Sequence, residues 1–172
     1  PSPRLDVSFL QKSLQLAGIP REGLTLILRT GIPTYRKELE RVAVDRASEV
    51  MVLSDAGDDS DAIKIVVLLS GWGDWPGRAP TIVAEVAHER NFELAQIAAR
   101  ERVQVVSSSS ATSKIIVQTL HNPGLAGVYD EIMSADGNSV FVQQLPECAG
   151  GTFRNLMYGF ETAIPIGISW LD

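Results

Sequence analysis

A single cysteine stands among 172 residues. Cys148 can therefore form no disulfide within the chain, and no cysteine cluster is there to hold zinc; a reducing, cytosolic setting is expected. Long apolar runs are missing too. Ile63 to Leu69 is interrupted by Lys64 and Thr162 to Trp170 contains Pro165, so neither approaches the roughly 20 residues of a membrane-spanning helix. Any span of the whole protein is expected outside this chain. Positive charge is scarce as well: 15 Lys and Arg against 21 Asp and Glu leave a net charge of -6, and the basic residues are scattered. That excludes the field a phosphate backbone requires, and nucleic acid is not expected as a partner. No G-x-G-x-x-G, no G-x-x-x-x-G-K-[ST] and no G-x-S-x-G occurs, which removes the usual dinucleotide, P-loop and nucleophile-elbow signals. The two histidines, His88 and His121, have no obvious Ser or Cys partner. The N-terminal Pro1-Ser2-Pro3-Arg4 reads as the start of an excised fragment.

What is present is ordinary globular material, 45% hydrophobic and 21% charged, and its length suits one domain with a small lobe attached. Leu5, Phe9, Leu10, Leu14 and Ala17 recur at helical spacing, and Gly18 supplies a stop. Leu24 to Arg29 predicts a buried strand ending at Thr30-Gly31-Ile32-Pro33. A helix over Thr34 to Val42, burying Leu39 and Val42, follows. The rhythm repeats: strand Glu49 to Leu53, polar turn Ser54 to Ser60, helix Asp61 to Leu69; strand Thr81 to Val86, helix Glu89 to Ala99; strand Val103 to Val106. Strands separated by such helices require parallel crossovers, so an α/β sheet with helices on both faces is expected. Gly71 to Gly77, carrying Trp72 and Trp75, is a surface loop that either marks an interface or folds back on its own domain.

After Ser110 two helices follow in succession, about Ala111 to Leu120 and about Gly124 to Ser134, hinged at Asn122-Pro123. They are either a hairpin packed on its own sheet or an interface. Asp136-Gly137-Asn138 predicts a turn, Ser139 to Leu145 a strand, Thr152 to Phe160 a short helix and Ala163 to Trp170 another strand. This last piece reads as the start of a second lobe.

Ligands of an open parallel sheet bind beyond the carboxyl ends of its strands. Four segments are thereby selected: Arg29-Thr30-Gly31, Ser54 to Asp59, Glu85-Val86-Ala87-His88, and Ser107 to Ser110. Asp55, Asp58, Asp59 and Asp61 form the most charged of these stretches. They suit hard-oxygen ligation of a divalent cation or capping of the following helix. Arg29 either holds a phosphate or pairs with an Asp of the next loop.

Three stretches together resemble the cytosolic domain of Castor/Pollux-like ion channels. The first is Leu28-Arg29-Thr30-Gly31-Ile32-Pro33 with Glu38-Leu39-Glu40-Arg41-Val42 and Ala47 to Asp55. The second is Asn122-Pro123-Gly124-Leu125-Ala126 through Ile132. The third is Ala149-Gly150-Gly151-Thr152-Phe153 with Phe160 to Ile168. The resemblance implies an RCK regulatory domain: a Rossmann-like N-lobe over 1-110, here without its first βαβ unit, crossover helices over 111-135, and the start of a small α+β C-lobe over 136-172. It implies self-assembly as a dimer or a tetrameric gating ring beneath a pore domain outside this chain. Ile115, Ile116, Leu120, Leu125, Val128, Tyr129 and Ile132 would form the subunit interface. Calcium or a nucleotide would be the ligand, with Arg29, Asp55, Asp58 and Asp59 in the ligand cleft and Asp61 joining the three aspartates around a metal. A non-enzymatic sensor on the cytoplasmic face of a membrane is the expected function. A soluble Trk-type regulatory subunit of a potassium transporter and a fragment of a Rossmann-fold oxidoreductase are the competing readings.

Overall fold

The computed structural model describes residues 25-55, 58-73, 75-134 and 138-169; the helix expected over 5 to 17 lies outside them. Two units are distinguished, Pro1–Glu131 and Ile132–Asp172. The first holds α1 (Arg36–Arg41), a 3-10 turn (Val44–Arg46), β1 (Glu49–Val52), α2 (Ser60–Ser70), β2 (Thr81–Val86), a second 3-10 turn (Glu89–Asn91), α3 (Phe92–Ala99), β3 (Gln104–Ser107) and α4 (Ser108–His121). Helix α5 (Leu125–Met133) runs across the division.

The three strands are parallel and lie in the order β1-β2-β3, the Rossmann-like α/β arrangement expected. Their alternation decides which side chains meet the helices. Ile82, Ala84 and Val86 of β2 are buried, as are Val52 of β1 and Ser107 of β3. Both β-α-β connections take the same lateral step, and right-handed crossovers then put α2 and α3 on one face. Val66 and Leu69 of α2 and Ala95 of α3 are fully buried there. Ser70 closes the helix pair, its hydroxyl donating to the carbonyls of Val66 at 2.7 Å and Ala99 at 3.1 Å. Trp72 folds back: it is buried, stacks on Trp75 with ring centroids 5.6 Å apart, and carries the Arg36 guanidinium 4.4 Å above its ring.

Several expectations are corrected. Residues 25-30 form no strand and are mostly exposed, because no described neighbour offers them a ladder of hydrogen bonds. Val42 is exposed at the end of α1, where a turn carries the chain through Ala43 in the left-handed region to the buried Val44. The burial pattern sets α2 and α3 against one face of the sheet, and the expectation of helices on both faces turns on residues outside those described. Helix α4 begins at Ser108, three residues before the expected start, because Ser107 caps it by accepting from the Ser110 N–H.

The second unit, taken by itself, has a 3-10 turn (Pro146–Cys148) and α6 (Phe153–Met157), capped by Thr152 through the Asn155 N–H at 3.3 Å. Neither expected strand is present over residues 138-145 or 163-169, and none of its described residues is buried. The alternation of Ser139 to Leu145 is real, but a strand exists only when paired.

Candidate functional site

The carboxyl ends of the three strands are laced together by side chains. Asp59, the residue before α2, is 1% exposed and points inward. Its Oδ1 accepts from the Ser54 hydroxyl at 2.5 Å and the Ala87 N–H at 2.7 Å. Oδ2 accepts from the His88 N–H at 3.1 Å and the Asn91 side-chain amide at 2.7 Å, and lies 3.1 Å from His88 Nδ1. One carboxylate thus ties the loop after β1 to the loop after β2. Burial pushes the Asp59 carboxyl upward, but the donors from Ser54, Asn91, Ala87 and His88 outweigh it and hold the group well below its ordinary value of 3.8. An ionised Asp59 is acceptor-only. The His88 Nδ1 therefore carries the proton of that contact.

Two further bonds complete the lacing. The Ser54 N–H donates to Glu85 Oε2 at 3.3 Å, and the Ser107 hydroxyl donates to Glu89 Oε2 at 2.7 Å. Ser107 also lies 3.3 Å from the Ser109 hydroxyl. Since Ser107 is both the end of β3 and the cap of α4, the strand-end region is continuous with that helix. The acceptors Glu85 and Glu89 suit a ligand that brings hydrogen-bond donors or positive charge.

The acidic turn is thereby divided. Asp55 and Asp58 are exposed. Asp58 accepts from the Ser60 N–H at 2.9 Å, and Ser60 holds its carboxyl below the usual range. Asp61 pairs with Lys64 at 2.8 Å, which raises the Lys64 ammonium. Asp59 has its oxygens committed elsewhere. Among the described residues no group of three or more His, Cys, Asp or Glu gathers to hold a metal, so the residues present do not fit calcium at this turn. Arg29 is exposed and makes no ion pair with the turn; it lines a shallow cavity of about 160 Å³ with Thr30, Gly31, Pro33, Glu38 and Arg41. Arg41 there pairs with Glu38 at 3.0 Å and donates to the Thr30 carbonyl.

Of the interface candidates, Ile115, Leu125 and Tyr129 are half-buried, whereas Ile116, Leu120, Val128 and Ile132 are exposed. Sequence reasoning had selected three strand-end segments that the structure joins, and had missed Asn91 and Glu89. No local pattern marks them; only the parallel register brings them to Asp59 and Ser107.

No described helix is long and apolar enough to cross a membrane. A sequence model of the family described as "Castor and Pollux, part of voltage-gated ion channel" matches residues 109-172. The chain is 28% identical over 148 residues to "Ion channel POLLUX" of Lotus japonicus, covering 85% of this chain and 16% of that protein. It is 28% identical over 149 residues to "Ion channel CASTOR" of the same plant, covering 86% of this chain and 18% of that protein. "Probable ion channel POLLUX" of Arabidopsis thaliana is 28% identical over 148 residues, 85% of this chain and 18% of its own length. The chain thus spans less than a fifth of each of these relatives, and over most of its own length this α/β chain is similar to ion channels of the Castor and Pollux kind.

Proposed function

We propose that this chain is a non-enzymatic regulatory domain of a Castor/Pollux-like cation channel, placed on the cytoplasmic face of a membrane and assembled with copies of itself below a pore outside the chain. The N-lobe of 1-110, the crossover helices of 111-135 and the C-lobe opening of 136-172 divide the labour. A ligand binds over the carboxyl ends of the strands, and the helices transmit its binding. One observation carries this reading beyond the likeness itself: Ser107 binds Glu89 at 2.7 Å while capping α4. A ligand that draws Glu89 away alters the first turn of the helix leading out of the sheet. Such a ligand shifts a gating equilibrium only by its different affinity for the two states.

The carboxylates Glu85 and Glu89 favour a cationic ligand over a nucleotide, whose phosphates they repel. Asp55 and Asp58, exposed beside them, add to the attraction at long range, while Arg29 is held apart with Glu38 and Arg41. Titration calorimetry with an organic polyamine, spermidine, and, separately, with ATP tests this choice. Spermidine binding that weakens by about tenfold, or about 1.4 kcal/mol, in Glu89→Gln is expected. ATP binding with no spermidine binding would overturn the ligand assignment. In the full-length channel, Ser107→Ala should shift the ligand dose-response of the current; an unshifted curve would remove α4 from the transmission.

A further inference from the structure

At the amino ends of the strands two segments far apart in sequence meet. Asp45-Arg46-Ala47-Ser48-Glu49 leads into β1, and Pro76-Gly77-Arg78-Ala79-Pro80-Thr81 leads into β2. The register pairs Glu49 with Thr81, and the Thr81 N–H donates to the Ser48 carbonyl at 3.0 Å. Between the two segments lies a cavity of about 650 Å³, inside the roughly 300–1,000 Å³ of small-molecule sites. Because the strands are parallel, this cavity and the Asp59 clasp are at opposite ends of the sheet.

Both walls are anchored. The first follows the buried Val44, and its turn is closed by the Arg46 N–H on the Ala43 carbonyl at 3.0 Å and the Ala47 N–H on the Val44 carbonyl at 3.2 Å. The second is held between Trp75, packed on the core and stacked on Trp72, and the buried Pro80. Pro76 and Pro80 each fix a φ angle in that loop, so the segment presenting Arg78 has little freedom left to lose on binding.

The lining decides what the cavity can take. Ala47, Pro76 and Ala79 are its apolar side chains, too small for an apolar helix or strand to bury anything against. Four charges are present instead, Asp45, Arg46 and Glu49 on one wall and Arg78 on the other. Among the described residues, ion pairs join Arg36 to Glu40, Arg41 to Glu38, Lys64 to Asp61 and His88 to Asp59, and none involves these four. Two guanidiniums and two carboxylates thus share one cavity without neutralising one another. Guanidinium forks match carboxylates, while Asp and Glu carboxylates accept from ammonium groups. A lone anion there meets Asp45 and Glu49, and a lone cation meets Arg46 and Arg78. A ligand that carries both charges escapes either repulsion.

We infer that this cavity binds a small zwitterion, a free amino acid or a short peptide, with Arg46 and Arg78 taking its carboxylate and Asp45 and Glu49 its ammonium group. The site is separate from the one proposed at the carboxyl ends of the strands and does not rest on it.

Titration calorimetry on the whole 172-residue chain tests this with three matched probes. These are triglycine, its N-acetyl form, which lacks the ammonium, and its C-terminal amide, which lacks the carboxylate. Triglycine should bind with a dissociation constant of about 1 mM or below, and each capped form about tenfold more weakly. Glu49 and Arg78 are exposed, so Glu49→Gln and Arg78→Gln should keep the melting temperature of the parent chain. Arg78→Gln should weaken triglycine about tenfold and close the gap to the amide, whereas Glu49→Gln should close the gap to the acetyl form. Glycine as a fourth probe separates the two sources: tighter binding than triglycine assigns the free amino acid, weaker binding the peptide. No heat at about 10 mM triglycine would overturn the inference. So would a capped form that binds as tightly as triglycine, which would make this a site for one charge alone, or triglycine binding unchanged in both variants. Glu89→Gln should leave triglycine binding as it is, so a failed spermidine titration overturns the strand-end reading and leaves this one standing.

Discussion

Residues 49-107 and residues 138-169 carry similar strand-forming material and meet different fates. Thr81-Ile82-Val83-Ala84-Glu85-Val86 lies in the middle of the sheet with Ala84 and Val86 fully buried. Ser139-Val140-Phe141-Val142-Gln143-Gln144-Leu145 alternates comparably, yet forms no strand, and Val142 is 93% exposed. Propensity does not separate them. β2 has a parallel neighbour on each side, whereas the second segment pairs with none of the described residues. A helix closes its hydrogen bonds within itself, so α4, α5 and α6 stand without a core; a strand must borrow its partners from elsewhere.

The sharpest way to break this comparison is to attack the buried side. Val66→Asp puts a carboxylate at a fully buried position of α2 with no designed partner. It should cost more than about 4 kcal/mol and unfold the sheet unit, read as a lost cooperative transition in urea. A retained transition would mean that the face between α2 and the strands is wet.

Next in size is the clasp. Asp59→Ala removes a carboxylate that accepts from Ser54, Ala87, His88 and Asn91, leaving buried donors unmet, and should cost about 2–4 kcal/mol. The same group sets an acid limit. Its carboxyl is held below the ordinary 3.8 in the folded chain, so the unfolded chain binds the proton first as pH falls. The stabilisation is full above about pH 4 and drains away below it, toward the depressed folded value. Urea midpoints measured from pH 6 to pH 2 should fall in the parent chain by more than in Asp59→Asn, which has no such proton to gain. Equal slopes would place the acid sensitivity elsewhere.

The sheet was legible in the sequence because each of its strands is a short apolar run of strand length, and because each is followed by a helix of crossover length. The cleft was legible in part, through the rule that parallel strands present their carboxyl ends to ligands. Asp59 was not. Four aspartates within seven residues look alike as letters, and only the approach of Ala87, His88 and Asn91 from the next loop makes one of them an inward clasp while Asp58 and Asp61 serve the helix end. Among the described residues, the strands expected at 24-29, 139-145 and 163-170 are missing for one physical reason: an apolar or alternating run reports a surface to be covered, not the existence of a partner. The exposure of Met51 and Leu53 escaped for the same reason, since a run such as Glu49 to Leu53 reads as buried on both sides until the register is known.

A smaller effect probes the rim of the core. Arg36 stacks over Trp72 at 4.4 Å, pairs with Glu40 at 3.0 Å and reaches the Trp72 carbonyl at 3.4 Å. The ion pair is half exposed, so its own contribution is slight. Arg36→Ala should cost about 1 kcal/mol, most of it from the ring contact, and Arg36→Lys should recover part of it. A loss in Arg36→Ala that disappears in high salt would assign the effect to the Glu40 pair instead.

The smallest expected effect carries the comparison to its other side. Phe141 is among the most exposed apolar residues of the second unit, at 83%, and truncating a core Phe costs about 3–5 kcal/mol. If residues 138-145 lack a sheet partner in the chain alone, Phe141→Ser should change stability by less than about 0.5 kcal/mol, the range of surface substitutions. Backbone amides of 139-145 should then exchange hydrogen far faster than those of β2, since only the latter are held in ladders. A cost above about 2 kcal/mol together with protected amides would show that these residues are paired and buried in solution, and that the contrast between the two regions lies in composition after all.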